Sequence, residues 1–90
     1  MASPKNYERQ KDAERRTRPF VWRHRSGHPQ INVTEYAGSK GNYRISVPGH
    51  PPDYRQATLG FADSKEDARS MAVDWMRDNP KGGRYQVSRR

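Results

Sequence analysis

The run Leu59-Gly60-Phe61-Ala62-Asp63-Ser64-Lys65-Glu66-Asp67-Ala68 constrains this chain most, because it reads as a strand that hands over directly to a capped helix. From Ala68 onward the apolar residues fall at Ala68, Met71, Ala72, Trp75 and Met76. That i, i+3, i+4, i+7, i+8 spacing lines one side of a helix, so a helix over 64–78 with a single buried face is expected, with Trp75 in its core stripe. Asp63 or Ser64 caps it. Glu66 and Asp67 place carboxylates in the first turn, where free N–H groups and the positive dipole end favour them. Asn79-Pro80 stops the helix, since proline disfavours the helical conformation of the residue before it, and Gly82-Gly83 follow as a flexible exit.

Upstream of residue 63 the apolar period is that of strands. Phe20, Trp22 and His24 alternate with Val21, Arg23 and Arg25, until Ser26-Gly27-His28-Pro29 breaks the pattern. Ile31 and Val33 alternate with Asn32, Thr34 and Tyr36, and Ala37-Gly38-Ser39-Lys40-Gly41-Asn42 has the chemistry of a turn. Tyr43, Ile45 and Val47 then alternate with Arg44 and Ser46 up to Pro48-Gly49, and Ala57, Leu59 and Phe61 alternate with Gln56, Thr58 and Gly60. Short polar connections make an antiparallel meander, whose apolar face the helix must cover. The expected fold is therefore α+β: a three- or four-stranded antiparallel sheet with one amphipathic C-terminal helix packed on one face. Ile31, Val33, Tyr43, Ile45, Val47, Leu59 and Phe61 should meet the helix. Asn32, Thr34, Arg44, Ser46 and Thr58 should be exposed on the other face, joined by Arg23 and Arg25 if the first segment lies at the sheet edge.

Only 10 of the 90 residues are Leu, Ile, Val or Phe, a fraction that with a net charge of +8 normally signals disorder. The aromatic residues oppose that reading, because Trp22, Trp75, Tyr36, Tyr43 and Tyr54 can each bury about 150–250 Å². The expected organisation is a disordered basic arm over 1–18, a small strand-rich domain over 19–79 ending in the helix, and a flexible basic tail over 80–90. Charge is divided unevenly. The helix segment, 63–79, holds five acidic and three basic residues, whereas the tail holds four basic and no acidic ones. A polyanion should therefore approach the sheet and the ends of the chain, with the helix as scaffold.

Cysteine is absent, which excludes disulfides and thiolate metal sites. No apolar run has the length of a membrane span and no secretory signal is visible, so an intracellular protein without membrane association is expected. His24, His28 and His50 are the only imidazoles and are widely spaced, so neither a metal nor a cofactor is expected. Glu35 and Asp53 are accompanied by no nucleophile, phosphate loop or paired-carboxylate motif, which argues against an enzyme and a small-molecule substrate.

What remains is recognition of a polyanion. Arg23, Arg25, Lys40 and Arg44 are the candidates for phosphate or base-edge contact, because guanidinium groups donate in pairs to phosphate oxygens and guanine edges. Asn32, Thr34 and Thr58 share that face as candidate base-edge readers. Arg15, Arg16, Arg18, Lys81, Arg84, Arg89 and Arg90 flank the domain and would raise affinity by counterion release without reading sequence. Trp22 and Tyr36 either stack on unpaired bases or pack at the core and sheet edge. Nucleic acid is the expected partner, duplex DNA ahead of RNA; an acidic protein bound by a sheet edge or exposed aromatics is the alternative.

Residues 31–78 resemble the AP2/integrase-type DNA-binding domain, a three-stranded sheet backed by one C-terminal helix. The likeness lies in Leu59-Gly60-Phe61 followed by Asp63-Ser64-Lys65-Glu66-Asp67-Ala68, and in Gly41-Asn42-Tyr43-Arg44-Ile45. The resemblance implies that the open sheet face lies in the DNA major groove and that Arg44 and its neighbours contact it. This chain departs from the family at the first strand, where Asn32 and Thr34 replace an arginine-rich stretch, and at Tyr43, which stands in place of a tryptophan.

Overall fold

Among the described residues, each run of alternating apolar residues forms a strand. The computed structural model describes residues 3–27, 30–47 and 57–80. It contains β1 (Tyr7–Arg9), a short 3-10 turn (Lys11–Ala13), β2 (Phe20–His24), β3 (Gln30–Gly38), β4 (Gly41–Val47), β5 (Ala57–Ala62) and α1 (Lys65–Asp78). The strands form one antiparallel sheet in sequence order, with the helix packed on one face. The α+β architecture matches the expectation, with five strands among the described residues because the N-terminal segment supplies one more. His28, Pro48, Gly49, His50 and the tail residues Lys81, Arg84, Arg89 and Arg90 lie outside the described residues.

Ser64 is the helix cap: its Oγ accepts from the Asp67 N–H at 3.1 Å, and Glu66 and Asp67 occupy the first turn. The buried line of α1 is Ala68, Ala72 and Met76, with Val73 and Trp75 packed at its margins. Met71, expected in the stripe, is 38% exposed. The reason is steric: the small side chains of Ala68 and Ala72 form the contact line, which moves residue 71 to the flank. Beneath it Gly60 leaves room, since a Cβ there would sit 2.4 Å from Met71 Cε. Across the sheet, Phe20, Val33, Ile45 and Gly60 line up as one row facing the helix, and Trp22 and Ile31 extend the same face.

The strict alternation expected of the last strand fails at one place. Ser46 pairs with Thr58 but Ile45 pairs with Gly60, so Leu59 is an extra residue, a β-bulge. Leu59 packs against the core, and every residue after the bulge changes face. Phe61, expected under the helix, instead aligns with Arg44 and Thr34 on the opposite side.

Residues 3–18 do not form the expected disordered arm. Tyr7, Glu8 and Arg9 pair with His24, Arg23 and Trp22, and Tyr7 is buried with only 3% exposure. Three features stop this charged segment from being a tail. Arg9 makes a two-pronged pair with Glu14, which also accepts the Val21 N–H, and the Arg9 guanidinium lies 4.9 Å from the Phe20 ring centre. Burial pushes the Glu14 carboxyl up, but the Arg9 and Val21 hydrogen bonds and the Arg9 and Lys11 charges outweigh it and hold the group below its ordinary value. The third is a clamp on the helix end. Tyr7 donates to Asn79 O at 2.7 Å, Asn6 donates to Pro80 O at 3.0 Å, and His24 Nε2 lies 2.9 Å from the same oxygen. Burial pushes the Tyr7 hydroxyl up to about 12. The folded unit thus begins well before residue 19. Val21, which alternates with Phe20 and Trp22, is itself fully buried, its backbone bonded to Gln10 and Glu14 of this segment.

Candidate nucleic-acid interface

The face away from the helix is built by the even-numbered residues of β3 and their cross-strand partners. One row runs Val21, Asn32, Ser46, Thr58 and the next runs Thr34, Arg44, Phe61, with Tyr36 two residues beyond Thr34 on β3. Neither row contains a carboxylate. Gly38 pairs with Gly41, so Ser39-Lys40 make a two-residue connection that returns the chain at this end of the face. Lys40 Nζ lies 5.8 Å from the Phe61 ring centre. Arg44 Nε donates to Thr58 Oγ1 at 3.0 Å, fixing the guanidinium over the sheet.

Two aromatic rings complete this end. Tyr36 and Phe61 have centroids 4.8 Å apart at 53°, a tilted contact in the range aromatic pairs favour. Both are half-buried and neither belongs to the helix-facing core. The structure therefore brings Thr34, Lys40, Arg44 and Thr58 of the expected set together and adds Phe61. Phe61 was missed because its alternation with Leu59 put it under the helix. The signal that could have found it is Gly60, since glycine inside a strand often marks a bulge.

The other expected residues are placed differently. Arg23 and Arg25 lie near the β1–β2 edge, and Arg23 is separated from Arg44 by two strand spacings and four residues, about 16 Å. Arg23 donates to Gln10 Oε1 at 2.9 Å, and Arg25 sits 3.9 Å from the Glu8 carboxylate. That exposed ion pair is worth about 0–1 kcal/mol, yet it puts a negative charge where a phosphate would have to sit. Asn32 lies between the two groups and its Oδ1 accepts from Gln30 at 3.0 Å. Ser46, expected to be exposed, is 1% exposed: it occupies the sheet's interior row between Asn32 and Thr58. Thr58 is the exposed member of that row.

Arg9, Arg15 and Arg18 of the N-terminal segment serve its own fold. Arg18 donates twice to Ala13 O, at 3.0 and 2.7 Å, and Arg15 donates to Asp12 O and Glu14 O. Arg16 is exposed in the turn between them. Trp22 is buried at 2% exposure and stacks on Phe20 at 5.6 Å, which assigns it to the core rather than to a ligand. Tyr43 and Trp75 are half-buried against the core.

Beside Tyr36, at the helix start, lies an open cleft of about 770 Å³ whose lining includes Glu35, Asn42, Asp63 and Lys65. Its two carboxylates bound the positive patch on that side. Among the described residues no cluster of three or more His, Asp or Glu side chains could hold a metal, and no helix is long and apolar enough to cross a membrane. No protein-family model, curated protein or solved structure matches the chain.

Proposed function

We propose that this chain is an intracellular nucleic-acid-binding protein that docks a phosphate backbone on the sheet face opposite the helix. The observation that carries this reading is the grouping of Lys40 and Arg44 with Tyr36 and Phe61 on a face without carboxylates in its two central rows, while α1 on the opposite side carries four acidic residues against three basic ones. Positive charge gathers counterion-bearing phosphates, the aromatic rings offer apolar area beside it, and the acidic helix repels the same ligand from the wrong side. The AP2-type resemblance implies the same face. Lys81, Arg84, Arg89 and Arg90, by their charge alone, would add contacts that do not depend on base sequence.

The test is a salt titration of binding to labelled DNA and RNA, with the Lys40→Ala/Arg44→Ala double variant alongside. Each lost phosphate contact should flatten the slope of log affinity against log salt by about 1, so the double variant should be flatter by about 2 and weaker at low salt. Absence of binding to every nucleic acid at low salt would refute the proposal. So would a double variant with wild-type affinity and slope, which would move the interface away from this face.

A further inference from the structure

The geometry points to unpaired bases as what this face takes: Tyr36 and Phe61 form a stacking platform for a single strand of DNA or RNA, with Lys40 and Arg44 meeting the phosphates beside the stacked base. The inference rests on the nucleic-acid reading above and deepens it by naming the form of the ligand.

Three features carry it. The first is where the rings stand. The bulge at Leu59 moves Phe61 out of the helix-facing layer and sets its ring 4.8 Å from that of Tyr36, on the face that carries the charge. The second is that the platform is held in place. The outer edge of the Tyr36 ring sits over Gly38, so a Cβ at 38 would lie 2.2 Å from Cε2 and 2.8 Å from Cζ. Only glycine leaves room for the ring there. The third is the state of the groups a duplex reader would use. Of the three candidate base-edge readers, two are already engaged within the sheet: Asn32 Oδ1 accepts from Gln30 and Thr58 Oγ1 accepts from Arg44, which leaves Thr34. A duplex offers its base edges to such hydrogen-bonding groups and keeps its ring faces stacked inside, whereas a single strand offers the ring faces themselves. A half-buried aromatic pair with an ammonium 5.8 Å from one ring suits the second ligand.

The experiment measures binding of the full chain, by fluorescence anisotropy at one low salt concentration, to labelled oligomers of equal length. The probes are oligo(dT), oligo(rU), a DNA duplex, and an abasic strand that keeps the phosphates and lacks the bases. The base-bearing single strands should bind more tightly than the duplex and the abasic strand; tighter binding of either oligo(dT) or oligo(rU) supports the inference and names the source of the strand. Tyr36→Ala and Phe61→Ala should each weaken single-strand binding by about 5- to 150-fold and leave duplex and abasic binding unchanged. Gly38→Ala displaces the Tyr36 ring without removing a polar group and should act in the same direction, which keeps the test usable if Phe61→Ala does not fold. The inference is overturned if the duplex or the abasic strand binds as tightly as the base-bearing strands, or if folded aromatic variants lose nothing; the electrostatic docking proposed above then survives. Failure of every probe to bind overturns both.

Discussion

Replacing Tyr7 measures how firmly the N-terminal segment belongs to the fold. The side chain is 3% exposed, its ring meets His24 edge-on at 5.0 Å, and its hydroxyl donates to Asn79 O at 2.7 Å. An aromatic ring of about 150–250 Å² contributes about 4–6 kcal/mol as an upper bound on transfer, and aromatic-to-alanine truncations in cores cost about 3–5 kcal/mol. Tyr7→Phe keeps the ring and removes only the hydrogen bond, at about 0.5–1.5 kcal/mol. For a domain of this size each 1 kcal/mol moves the melting temperature by about 4–8 °C. Tyr7→Phe should therefore melt several degrees lower, and Tyr7→Ala should take a large part of a total stability of about 5–15 kcal/mol. Thermal unfolding followed by circular dichroism reads both.

The same side chain carries a pH signature. Its hydroxyl is raised from 10.0 to about 12 in the folded state, so the neutral form is favoured by folding. That contribution is fully present below pH 10.0 and is lost as the pH rises toward about 12, so the gap between wild type and Tyr7→Phe should close over that range. A Tyr7→Ala melting temperature within about 2 °C of wild type would refute the reasoning, because only a tail unattached to the sheet could lose a ring so cheaply.

Two further outcomes test other joints of the structure. The Glu14 carboxyl is held below its ordinary value of 4.5, so its contribution is present above that pH and is lost as the pH falls through the lower folded-state value; as the pH falls below 4.5 the urea midpoint of wild type should drop more steeply than that of Glu14→Gln. Gly41 has φ +152° and a Cβ there would lie 2.8 Å from Ala62 O, so Gly41→Ala should destabilise by about 1–3 kcal/mol in a urea titration. Gly60→Ala meets only the mobile end of exposed Met71 and should cost less than about 1 kcal/mol, and equal losses at the two glycines would remove the distinction.

The helix and four of the five strands were legible because each announces itself by period and punctuation: Ser64 before the apolar stripe, Asn79-Pro80 after it, and alternation between turn residues elsewhere. What was not legible depended on long-range partners. Tyr7-Glu8-Arg9 carries no alternation of its own and becomes a strand only because β2 offers it an edge and the end of α1 offers Asn79 and Pro80 as acceptors. Local charge read as disorder, and a bidentate ion pair with cation–π support reversed it. The candidate site was half legible. Lys40, Arg44, Thr34 and Thr58 follow from alternation, whereas Phe61 depends on a one-residue bulge that no period of two can contain.

That bulge lets one short strand serve both layers. Leu59, Gly60 and Ala62 face the helix, and Phe61 between the last two faces away. The devices that stabilise the molecule then separate from the patch that would bind. Tyr7, His24 and Asn6 hold the C-terminal end of α1, while Tyr36 lines the cleft at its N-terminal end, where Asn42 donates to Asp63 O. Fourteen residues of helix put about 21 Å between those ends. Substitutions so far apart, with no shared partners, should act additively on stability. A loss of binding in Tyr36→Ala or Lys40→Ala that leaves the melting temperature in place therefore reports on the face itself, and a loss of stability in Tyr7→Phe that leaves affinity intact reports on the clamp.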